Sequence, residues 1–107
     1  MNQPNPNSQQ TVLITDDNPE NIFFLGEILK KHYNVKAATN GDEALRILWG
    51  KNPPSLVLMD VVMPEMDGFE VCRRLKSRPS SQNIPVIFVT ALDETIDETK
   101  GFEVGGA

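Results

Sequence analysis

The sequence predicts an α/β protein built as a doubly wound parallel sheet, and three observations carry that prediction. Short apolar runs alternate with helix-length amphipathic segments along 107 residues, giving β-α-β-α-β-α-β-α. Leu56 to Met59 is apolar at every position, which marks a strand covered on both faces. Two runs, Thr11–Thr15 and Leu56–Met59, pass straight into acid, at Asp16-Asp17 and at Asp60. Alternating strands and helices imply right-handed crossovers, with helices on both faces of one sheet.

Residues 1–10, MNQPNPNSQQ, are polar and carry two prolines, so a disordered leader is expected, with one domain over residues 11–107. Thr11–Thr15 reads as the first strand. Asn18-Pro19 then supplies an N-cap and a proline at the first helical position. The helix is expected from Pro19 to about His32, with Ile22, Leu25, Ile28 and Leu29 facing inward. Lys30, Lys31 and His32 suit its negative end.

Val35–Ala38 is the second strand. Asp42 and Glu43 open a helix to about Trp49, with Ala44, Leu45 and Leu48 inward and Gly50 ending it. Pro53-Pro54 precedes the central strand, and Met63-Pro64 stops it. Asp67 caps a third helix with Glu70 three residues on, and Val71, Cys72 and Leu75 form its buried side. Cys72 reads as a core residue rather than a nucleophile. Residues 78–83 are a polar loop. Ile84–Val89 is a fourth strand whose proline lies near its start, and Asp93–Val104 is a weak helix with few apolar anchors.

The net charge of −5 and the lack of a basic run argue against a nucleic-acid surface. One cysteine excludes an internal disulfide and fits a reducing compartment. No apolar run approaches a membrane span and no signal-peptide core is present, so a cytoplasmic domain is expected.

Open α/β sheets place ligands at the carboxyl ends of their strands. If the first and third strands are neighbours, Asp16, Asp17 and Asp60 meet there. Three carboxylates repel one another, and a hard divalent cation relieves the repulsion. Mg²⁺ takes one or two carboxylates, waters and a phosphate oxygen, and Mn²⁺ is an alternative. Asp60 then stands ready to attack phosphorus as an aspartyl nucleophile, with Thr90 as a hydrogen-bond donor to the phosphoryl group.

The segments ITDDN, LMDVVMPEMDG and PVIFVTA, in this order and spacing, resemble the receiver domains of two-component response regulators over about residues 11–107. The resemblance implies a flavodoxin-like sheet of order 2-1-3-4, with the family's fifth strand missing from this chain. It implies a signalling phosphoacceptor rather than an enzyme in its own right, supplied by a sensor histidine kinase or a phosphotransfer protein. Asp60 is then the acceptor, Asp17 a direct Mg²⁺ ligand, Asp16 an assisting ligand and the Val62 carbonyl a third protein ligand. Thr90 is the switch hydroxyl, Ala91 leaves room for it, and Pro64 and Gly68 shape the loop above the site. Val62 itself, apolar and two residues past the acceptor, positions no attacking water, so slow loss of the phosphoryl group is expected.

Receivers of this family continue past the Gly-Gly-Ala with a strand ending in Lys-Pro and a fifth helix, whereas this chain stops at Ala107. The expectation is a truncated receiver with impaired phosphorylation or readout and intact Mg²⁺ binding. Its apolar fourth strand would form an exposed edge, inviting a homodimer or domain swap. The alternative is an interaction module that cannot be phosphorylated. A haloacid-dehalogenase-type phosphatase needs a second acid two residues after the nucleophile, where Val62 stands. A flavodoxin-like cofactor binder needs a Gly-, Ser- or Thr-rich loop where this chain has DDNPEN.

Overall fold

A computed structural model describes residues 10–89. The first nine residues of the leader, Thr90, Ala91 and the Asp93–Val104 segment expected to be helical lie outside the described residues. Four strands, β1 (Thr11–Thr15), β2 (Asn34–Ala38), β3 (Leu56–Asp60) and β4 (Val86–Val89), form one parallel sheet of order β2-β1-β3-β4. They alternate with α1 (Pro19–Leu29), α2 (Gly41–Leu48) and α3 (Gly68–Lys76).

Side-chain alternation along the strands sorts the two faces of the sheet. Leu13, Val57, Met59 and Val86 join Ala44, Leu45 and Leu48 of α2 and Val71, Cys72 and Leu75 of α3 in one buried cluster. Burial pushes the Cys72 thiol up in pKa, against weaker opposing pulls from Lys76 and Arg73, as a core cysteine requires.

Val12 and Ile14 point to the opposite face, where α1 packs on β1 and β2. That face is less covered than the unbroken apolar run of β3 suggested. Leu56 and Leu58 are half-buried, and α1 has no fully buried residue. Ile22, Leu25 and Leu29 do turn inward in part, but Ile28 is 54% exposed, against expectation. α1 also ends at Leu29 rather than near His32: Lys30 is its C-cap, with its N–H still bonded to the Gly26 carbonyl at 2.8 Å, and the chain leaves in a turn in which the His32 N–H bonds to the Leu29 carbonyl at 3.0 Å.

Capping explains where the other helices begin. Asn40 and Asp67 accept the N–H of Glu43 and of Glu70, at 2.8 and 2.9 Å. The reciprocal half of the capping box differs from expectation. Glu70 turns to Arg74 and Arg73 instead, which hold its carboxyl below the usual range, whereas Glu43 of α2 reaches back to the Thr39 N–H at 2.7 Å.

The loop after α3, expected to be merely polar, contains buried Ser81. Its hydroxyl accepts the Trp49 indole N–H at 3.1 Å and donates to the Leu75 carbonyl, while Arg78 lies over the Trp49 ring. These contacts tie the ends of α2 and α3 together, opposite the carboxyl ends of the strands. No helix among the described residues is long and apolar enough to cross a membrane.

Candidate phosphoryl and cation site

The β1–β3 register sets Thr15 opposite Met59, so Asp16 comes level with Asp60. Carboxylate oxygens of Asp16, Asp17 and Asp60 all lie within 4.8 Å of one another. Asp16 and Asp60 are 6% and 8% exposed, while Asp17 is open to solvent. The sequence reading required β1 and β3 to be neighbours, and they are.

Asp16 is held in three ways. Its backbone N–H continues the β1–β2 ladder to the Ala38 carbonyl at 3.1 Å. Its Oδ1 accepts the Asn18 N–H at 2.9 Å, and its Oδ2 accepts the Asn21 side-chain N–H at 3.1 Å. Asn18 at the same time caps α1, accepting the Glu20 N–H at 2.9 Å. Asn21 was not singled out from the sequence. The available signal was its place on the first turn after the Asn18-Pro19 cap, which turns its side chain back toward the end of β1.

Asp60 closes β3, and the loop behind it is tightly built. The Gly68 N–H donates to the Val61 carbonyl at 2.8 Å, and a Cβ on Gly68 would overlap the Asp60 carbonyl oxygen. Glu65 has φ 70°, and the Met66 N–H reaches the Pro64 carbonyl at 2.7 Å, a strained three-residue turn. Val62 is 53% exposed at the rim. Val89 pairs with Asp60 in the β3–β4 ladder. Thr90, the expected switch hydroxyl, and its small neighbour Ala91 lie outside the described residues.

Three hard oxygen donors at one edge suit Mg²⁺ or Mn²⁺ by charge and ligand type. A strand-borne carboxylate beside such a cation can take up a phosphoryl group.

The Response regulator receiver domain family matches residues 12–107. A probable cyclic di-GMP phosphodiesterase of Vibrio cholerae is 49% identical over 98 residues, 92% of this chain and 22% of that protein. Response regulator PleD of Caulobacter vibrioides is 39% identical over 97 residues, 90% of this chain and 21% of that protein. The chain thus spans about a fifth of the length of these two curated relatives. Among solved structures, the chemotaxis response regulator CheY4 of Vibrio cholerae superposes with a TM-score of 0.82 at 26% identity, covering 92% of this chain and 82% of that one. The receiver domain of a Syntrophus aciditrophicus signal transduction histidine kinase gives 0.80 at 39% identity, covering 91% and 74%.

Proposed function

The chain belongs to the response regulator receiver domain family, a phosphoacceptor module of two-component signalling, and on that premise we propose that Asp60 is its acceptor. The observation that carries the assignment is the meeting of Asp60 with Asp16 and Asp17 at the carboxyl edge of the sheet. Asp17 and Asp60 are the direct cation ligands, with the Val62 carbonyl as a third and Asp16 assisting. The bound Mg²⁺ supplies charge neutralisation on the transferring phosphoryl group. Thr90 takes the role of switch hydroxyl beside the small Ala91.

The chain's own residues do the rest. β3 delivers Asp60 on a rigid element, so its carboxylate needs little reorganisation to reach phosphorus. One carboxylate oxygen bonds to phosphorus as the bond from phosphorus to the donor's leaving group breaks. The donor in the cell is a phosphohistidine of a sensor kinase or of a phosphotransfer protein. Acetyl phosphate serves in the test: intact mass after incubation with Mg²⁺ gains one phosphoryl group, and chelating the metal prevents the gain. A chain that binds Mg²⁺ and gains nothing would instead be an interaction module.

Mg²⁺ should stabilise the fold as well. At ten times its Kd, a ligand specific to the folded state adds about 1.4 kcal/mol, which raises the melting temperature of a small domain by several degrees. Asp17→Ala should abolish that rise. An undiminished rise in Asp17→Ala would remove Asp17 from the ligand set.

Val62 governs how long the phosphoryl group persists, since an apolar side chain at the rim orients no water. Val62→Asn should hasten its loss several-fold, measured as decay of the phosphorylated chain. Equal decay rates would refute this role. The 49% identity to the Vibrio cholerae protein favours cyclic di-GMP turnover as the output under control. Exchanging that protein's receiver for this chain, and comparing hydrolysis with and without phosphorylation, tests the assignment.

A further inference from the structure

We propose that Asn21 is a positioning residue of the cation site, its amide holding the Asp16 carboxylate in the orientation that favours Mg²⁺ over larger cations. The inference rests on the reading of Asp16, Asp17 and Asp60 as a cation site.

The geometry is a two-point clamp. Oδ1 of Asp16 is fixed by the Asn18 N–H and Oδ2 by the Asn21 side chain, at 2.9 and 3.1 Å. Only the N–H₂ end of the amide can face a carboxylate, so the hydrogen-bond direction follows from chemistry. Position 21 is the third residue of α1, where a capping-box Glu would normally accept the N-cap N–H. Here Asp16 accepts that N–H, from Asn18. The third helical position is therefore released for a donor, and a Glu there would add a fourth carboxylate to the cluster.

Asn21 is exposed and α1 buries none of its residues, so packing does not account for its contact with Asp16. The backbone ladder fixes where Asp16 starts, but not the rotation of its side chain. The clamp restricts that rotation before a cation arrives. Mg²⁺ demands near-octahedral geometry at short distance and keeps several waters, which the assisting Asp16 would orient, whereas Ca²⁺ tolerates irregular geometry and longer distances. A loosened Asp16 therefore penalises Mg²⁺ more than Ca²⁺.

Calorimetric titration of the 107-residue chain with MgCl₂ and with CaCl₂ tests this, using the wild type, Asn21→Leu, Asn21→His and Asp17→Ala. Leu keeps the volume and removes the donor, while His restores a ring N–H of similar reach. In Asn21→Leu the Mg²⁺ affinity should fall about tenfold, the low end for a lost outer-shell partner. Ca²⁺ affinity should fall no more than about threefold. Asn21→His should recover most of the Mg²⁺ affinity, and the urea midpoint should stay unchanged. Unaltered Mg²⁺ binding in Asn21→Leu would overturn the proposal. Equal losses for both cations with a lowered urea midpoint would assign Asn21 a purely structural role and overturn it too. Wild-type titrations that match Asp17→Ala would sink the cation-site reading itself, and the Asn21 proposal with it.

Discussion

Asp60→Ala is expected to abolish the addition of a phosphoryl group from acetyl phosphate, leaving the intact mass unchanged with Mg²⁺ present. The three acids of the site are not equivalent. Asp16 has both carboxylate oxygens engaged by N–H donors, which lowers its reactivity toward phosphorus. Asp17 is exposed at the start of the β1–α1 turn. Asp60 alone ends a central strand, buried and level with Asp16. Removing one of three clustered negative charges relieves repulsion in the metal-free protein. The variant should therefore fold and be no less stable than the wild type without Mg²⁺, which urea unfolding checks. A variant that is folded and still gains a phosphoryl group would move the acceptor to Asp16 or Asp17.

The second large effect is on stability. Gly68→Ala should destabilise the domain by about 3 kcal/mol, at the upper end for overpacking. A Cβ at this position would overlap the Asp60 carbonyl oxygen and lie 2.9 Å from Met59 Cγ and 3.1 Å from the Asp60 carbonyl carbon. Two of these neighbours are backbone atoms of a central strand, which cannot move aside as the end of a side chain can. Relief would require shifting α3 or the end of β3, and either change disturbs the Asp60 carboxylate. The loss is a large share of the 5–15 kcal/mol that stabilises a typical domain. Denaturant unfolding of the two proteins measures it. A loss below about 1 kcal/mol would show that the β3–α3 junction yields more easily than its geometry indicates. Mg²⁺ affinity should fall in parallel, because the same backbone carries Asp60 and Val62.

Much of the fold was legible in the sequence because its signals are local. Thr11–Thr15 has the expected strand bounds, and the strand expected over Leu56–Met59 extends one residue further, to Asp60. Their apolar runs and flanking turn residues lie within a few positions, as do the caps Asn18 and Asp67 of α1 and α3. The convergence of Asp16, Asp17 and Asp60 was conditional in the sequence, since no local pattern states which strands are neighbours. The misjudged details involve contacts between distant segments or, at Glu70, competing partners within one helix. Ile28 shares the helical spacing of an inward stripe, yet α1 meets only part of the sheet and leaves it exposed. Glu70 has the spacing of a capping-box partner, but Arg73 and Arg74 lie closer to hand on the same helix. Ser81 sits in a polar stretch and is buried because Trp49, 32 residues away, needs an acceptor for its indole N–H.

Element order, the parallel α/β class and the acids at the ends of two strands could all be read along the chain. Each of these follows from periodicity, chain-breaking residues and short-range capping. The β1–β3 register that brings Asp16 level with Asp60, the Asn21 clamp on Asp16, and the close approach of Gly68 to the Asp60 carbonyl came instead from the assembled fold. These depend on strand pairing and on the direction each side chain takes once the strands are paired. A window of sequence records which residues are present, whereas distances between groups on different elements arise only when the whole sheet is assembled.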